Sequence, residues 1–98
     1  MFDNVSLHPD ADKDIQAIFD RYDEISGKTA QNFREDLETA LTKISNFPSM
    51  GHPDPTGFSR VNLKRYPYHV LYEEHRDIVR VMVVRHDKRG GTFGSDRT

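Results

Sequence analysis

Residues 68–84, Tyr68-His69-Val70-Leu71-Tyr72-Glu73-Glu74-His75-Arg76-Asp77-Ile78-Val79-Arg80-Val81-Met82-Val83-Val84, decide the fold class. Tyr68, Val70 and Tyr72 recur with the period of two expected of a half-buried strand. Ile78 to Val84 is almost continuously apolar, as expected of a central strand covered on both faces. Glu73 to Asp77 is a polar connection and reads as a hairpin turn. Just upstream, Val61 and Leu63 alternate with polar residues and give one more strand from Phe58 onward. Asn46 to Gly57 holds three prolines and two glycines, so it is a loop.

Before that loop the period changes. Ala30, Phe33, Leu37, Ala40, Leu41 and Ile44 form one apolar stripe, and Ala11, Ile15, Ile18, Phe19, Tyr22 and Ile25 form another. Spacings of three and four put each stripe on one face of a helix. His8-Pro9-Asp10 opens the first helix, with proline suited to the first helical position and Asp10, Asp12 and Asp14 near its positive end. Ser26-Gly27 closes it, with Gly27 expected as a left-handed cap, and Thr29 is expected to cap the second helix. The short joint makes an antiparallel helical hairpin. Phe2 to Leu7, with β-formers at Phe2, Val5 and Leu7, reads as a first strand. The fold class is therefore α+β: an N-terminal strand, then a helical hairpin packed on a mainly antiparallel sheet of about four strands. Residues 1–98 form one domain, and residues 90–98 are expected to be a loose tail.

The chain has no cysteine, which excludes thiol chemistry and fits a reducing cytoplasm. Met1 to Asp14 has no apolar run that would serve as a signal peptide, and no stretch is long enough to span a membrane. The five histidines, at positions 8, 52, 69, 75 and 86, lack metal-ligand spacing, and no cofactor is expected. The net charge of −2 hides an asymmetry. Residues 1–57 carry five Lys/Arg against eleven Asp/Glu, a net of −6. Residues 58–98 carry nine against five, a net of +4. A basic face on the second half would suit phosphates or an acidic partner, and an ordinary solvated surface would look the same.

Four segments in order carry a resemblance: His8-Pro9-Asp10-Ala11 with Asp14-Ile15; Phe47-Pro48-Ser49-Met50-Gly51; Arg60 followed by Tyr66-Pro67-Tyr68-His69-Val70-Leu71-Tyr72; and Val83-Val84-Arg85-His86-Asp87-Lys88-Arg89. Together they resemble the RelE/ParE toxins over roughly Val5 to Arg89. Two positions depart from that pattern. Gly90-Gly91 stands where the family often has proline, and Arg85 stands where a hydrophobic residue is common. The resemblance implies the growth-inhibiting half of a type II toxin–antitoxin module, neutralised by a cognate antitoxin lying across the helices and sheet. It implies one of two targets, DNA gyrase for ParE-like members or messenger RNA on the ribosome for RelE-like members. A non-toxic binding module of the same fold is a third possibility.

An RNase would need a group to take the 2′-hydroxyl proton, a group to protonate the leaving oxygen, and cations to hold the phosphate charge. Arg60, Arg85 and His86 are the candidate catalytic residues under that reading. Arg60, Lys64, Arg65, Tyr72, Arg85, Lys88 and Arg89 are candidates for contact with a target or a phosphate, Arg through its fork and Tyr72 through stacking. Arg60, Lys64 and Arg80 equally fit polar positions on half-exposed strands, Tyr68 and Tyr72 fit a core, and His86 fits a strand end. Asp87 and His86 are neighbours, which on a strand would point to opposite faces, so no carboxylate–histidine pair is visible. That absence and the weak total basicity favour gyrase over messenger RNA as target.

Overall fold

The structure, a computed structural model, describes residues 2–98. A three-residue strand, β1 (Val5–Leu7), leads into helix α1 (Pro9–Ile25). His8 makes the turn: its backbone stays extended and its Nδ1 accepts the Asp10 N–H at 3.0 Å, while Pro9 opens the helix. Helix α2 (Gly27–Asn46) follows after a single residue. That residue is Ser26, whose extended backbone (φ −165°, ψ 146°) breaks the helical run. Its N–H closes α1 on Tyr22 O, and its hydroxyl accepts the Thr29 N–H at 3.0 Å to cap α2. Both expected caps are thereby corrected. Gly27 is the first residue of α2 and Thr29 lies inside it. One extended serine does both jobs, so no left-handed residue is required.

A single 3-10 turn (Pro48–Met50) leads to β2 (His52–Pro53), then β3 (Ser59–Asn62), β4 (Tyr68–His75) and β5 (Ile78–His86). The sheet has five strands in the order β1-β5-β4-β3-β2. The extra strand is the two-residue β2, hidden in the proline-rich loop. Among the described residues only β1 runs parallel to its neighbour; the other pairs are antiparallel. Arg76 and Asp77, both at positive φ, make the tight turn between β4 and β5.

The helical hairpin covers one sheet face. Ile18, Phe33, Leu37 and Ile44 meet Val61, Val70, Tyr72, Val79 and Val81 in one core. A smaller cluster of Leu71, Met82 and Val83, with Phe58 against it, lies on the far face. The near-continuous apolar run in β5 has a geometric cause. Leu71 pairs with Val83 but Tyr72 pairs with Val81, so Met82 is an extra residue, a β-bulge. The bulge reverses the in–out alternation. Val79 and Val81 face the helices, Met82 and Val83 face away, and Val84 faces the helices again.

The tail, expected to be loose, lies against the far face. Gly94 is buried at φ +90°, so close that a Cβ would sit 2.5 Å from Val83 Cγ2. Arg97 hydrogen-bonds Met82 O at 2.8 Å and Asp14 at 2.7 Å, and Arg80 holds Thr98 O at 2.6 Å. Gly94, lacking a Cβ, allows this close approach. Among the described residues, no helix is long and apolar enough to cross a membrane.

Candidate functional site

The β5 bulge decides where the candidate residues stand. It sends Arg85 to the far face, opposite His69, and His86 to the helix face, against Tyr68. On the far face five side chains form one network. Asp87 Oδ1 lies 3.0 Å from His69 Nδ1, and Arg85 Nε donates to His69 Nε2 at 2.8 Å. A guanidinium can only donate, so Nε2 is unprotonated and the ring is a neutral Nδ1–H tautomer that donates to Asp87. Burial lowers the His69 pKa, and the Arg60 and Arg85 charges lower it further against the opposing pull of Asp87.

Arg85 is itself buried, at 3 % exposure. Besides His69 it reaches Phe93 O at 2.8 Å, Gly91 O at 3.3 Å and Asp54 Oδ2 at 3.4 Å. Burial lowers its pKa and Asp54 raises it in return. Asp54 would be pushed up by burial alone. The Thr56 backbone and hydroxyl, then Arg85 and Arg60, outweigh that and hold its carboxyl below the usual range. Arg60 donates to Asn62 and lies between Asp54 at 4.0 Å and Asp87 at 3.7 Å. Two arginines therefore meet two aspartates, and the patch is electrically balanced.

The remaining candidates lie elsewhere. His86 borders a cleft of about 250 Å³ together with Asp14, Arg21, Tyr68, Arg89 and Phe93. Its Nδ1 accepts the Lys88 N–H at 3.0 Å, and the Arg89 guanidinium stacks 4.6 Å over the Phe93 ring. Lys64 and Arg65 occupy the turn between β3 and β4, their side chains exposed. The buried carboxylate of Asp36 shapes that turn by accepting the N–H groups of Lys64, Arg65 and Tyr66 at 3.3, 2.9 and 3.0 Å. Asp87 N–H bonds Pro67 O at 2.8 Å and ties this turn to the one after β5. Lys64, Arg65, Lys88 and Arg89 thus share one end of the sheet. Tyr72 does not join them. Its ring is fully buried and its hydroxyl donates to Pro48 O and accepts the Gly51 N–H, so it has no face on which a base would stack.

The carboxylate–histidine pair sought between Asp87 and His86 forms with His69 instead. His69, Asp54 and Asp36 are the residues that sequence reasoning missed, and Asp87 was weighed there only as a partner for His86. Asp36 left a signal, because a carboxylate stands on the buried stripe between Phe33 and Ala40. His69 left a weaker one, a polar residue inside an apolar strand.

The family profile described as "ParE toxin of type II toxin-antitoxin system, parDE" matches residues 5–90. The chain belongs to the ParE toxin family. Among solved structures, a chain of the "Chromosomal ParDE TA system from P. aeruginosa" is similar in fold. It is 17% identical, superposes with a TM-score of 0.72, and the match covers 85% of this chain and 94% of that one. No curated protein sequence matches the chain. The ParE profile ends at residue 90, so the tail from Gly91 to Thr98 lies beyond it. Arg85, Asp54 and His69 lie within the family segment, yet Arg85 also anchors that tail.

Proposed function

We propose that this ParE-family toxin arrests growth in the cytoplasm by binding DNA gyrase, and that a cognate antitoxin neutralises it. The reading rests on one observation: the far-face network is closed. RNA cleavage by acid–base chemistry needs a proton acceptor and a proton donor within reach of the ribose and the leaving oxygen. His69 is the histidine hydrogen-bonded to a carboxylate, but it is fully buried with both ring nitrogens engaged. Arg85 spends its N–H groups on His69, Asp54 and the tail. Arg60 is flanked by two carboxylates with which a phosphate would have to compete. A binder needs no such couple, only an accessible surface. Lys64, Arg65, Lys88 and Arg89 supply one, all exposed at one end of the sheet.

The test is induction in growing cells with primer extension on messenger RNA. Growth arrest with intact transcripts is expected, for the native chain and for Arg60→Ala and His86→Ala alike. New cuts that vanish in His86→Ala would make the chain a ribonuclease. Unimpaired growth without antitoxin would make it a non-toxic binding module.

A further inference from the structure

The tail rests on the sheet through two separate anchors. One is Arg97, held by Asp14 and Met82 O. The other is Arg85, which donates to Gly91 O at 3.3 Å and Phe93 O at 2.8 Å. This second anchor depends on His69. Arg85 Nε donates to His69 Nε2 at 2.8 Å, a bond that exists only while Nε2 carries no proton. The charged groups around the ring are Arg85 from β5, Asp87 from the turn after it, Arg60 from β3, and Asp54, behind Arg85, from the loop between β2 and β3. Two cations and two anions thus surround a neutral imidazole. A proton on Nε2 would set N–H against N–H and add a positive charge to a buried site. His69 is fully buried in a central strand and Asp87 holds its other nitrogen, so the guanidinium is the group that must move.

We propose that His69 is a proton-operated latch for the tail: protonating it drives Arg85 away, frees the Gly91 and Phe93 carbonyls, and lets residues 91–95 lift from the far face. Gly90 and Gly91 supply the hinge, because each has open space where a Cβ would stand and Gly91 sits at φ +65°. The direction follows from linkage. The closed form needs Nε2 bare, so it binds the proton more weakly than the open form, in keeping with the lowered pKa of the buried ring. The tail is therefore secure above about pH 6.5 and loosens as the pH falls below it. Lifting uncovers Val83, on which Gly94 packs, and with it the cluster of Leu71 and Met82. The opening is local, within a folded chain, and stands apart from the choice of gyrase as target. His8 and His86 border the tail as well and have to be told apart from His69.

The test is NMR on the full chain between about pH 7.5 and pH 5. The His69 Cε1–H resonance reports protonation. The amides of Ser95 and Arg97, which donate to Thr92 O and Gly94 O, report the tail. Their protection, corrected for intrinsic exchange, is expected to fall by up to about tenfold per pH unit as His69 protonates, with helix and strand amides unchanged. This titration of the native chain needs no variant to fold. His69→Gln keeps an acceptor for Arg85 and a donor for Asp87 but does not titrate, and should hold the tail closed throughout. Arg85→Gln should leave it open at every pH. His8→Asn and His86→Gln should leave the midpoint where it was. Tail protection that survives His69 protonation, or a ring that stays neutral until the whole chain unfolds, would overturn the proposal. So would the same opening in His69→Gln, or its loss in His8→Asn or His86→Gln.

Discussion

His69 is held neutral by a donor on Nε2 and an acceptor at Nδ1, with burial as the main force. The sign of the pH effect follows. A folded pKa below the unfolded value of about 6.5 means that the unfolded chain takes up the proton first. The stabilisation is complete above that value and is lost as the pH falls from it toward the folded pKa. Asp54, held below 3.8, adds a loss of the same sign at lower pH. His69→Gln should therefore flatten the change in urea midpoint between about pH 7 and pH 5. An unchanged slope would show that His69 does not titrate as described. Asp36→Ala removes three hydrogen bonds to a charged acceptor and should cost about 3 kcal/mol in urea unfolding, while disordering the turn that carries Lys64 and Arg65. At this scale the sequence disclosed residue types but not their pairings. Arg85 and Arg60 were legible as cations. Their carboxylate partners Asp54 and Asp87 were not, because those contacts join a loop, three strands and a turn.

The helices and the long strands were legible because each carries its period over many residues. What was lost lies in single residues. Ser26 alone separates α1 from α2, and β2 is only two residues long. The β5 bulge was invisible for another reason: an apolar run looks the same with or without a parity change. Yet the bulge decides which face each residue takes, sending Arg85 to the far face and His86 to the helix face, the reverse of an unbulged strand. The tail makes its own prediction. Gly94 combines a positive φ with contact on Val83, so Gly94→Ala should strain the backbone and drive a methyl into that side chain. Faster amide exchange from Thr92 to Thr98, with the helices unchanged, is the expected result. Undiminished protection would mean that this contact does not hold the tail.

The whole molecule divides into an acidic helical half and a basic strand half, as the charge asymmetry foretold. The structure sharpens that division. On the far face Arg60 and Arg85 are neutralised by Asp54 and Asp87, while Lys64, Arg65, Lys88 and Arg89 stand exposed in two adjoining turns at one end of the sheet. Lys88→Glu with Arg89→Glu should therefore weaken target binding by at least an order of magnitude while leaving thermal stability almost unchanged, since both side chains are exposed. Loss of stability in step with activity would argue for a structural role instead. Under the function proposed above, this toxin acts by binding gyrase. Supercoiling of relaxed plasmid by purified gyrase, titrated with purified toxin, tests it most directly. Inhibition by the native chain, preserved in Arg60→Ala and His86→Ala and lost in Lys88→Glu with Arg89→Glu, is the predicted result. Full supercoiling at a large excess of folded toxin would contradict it.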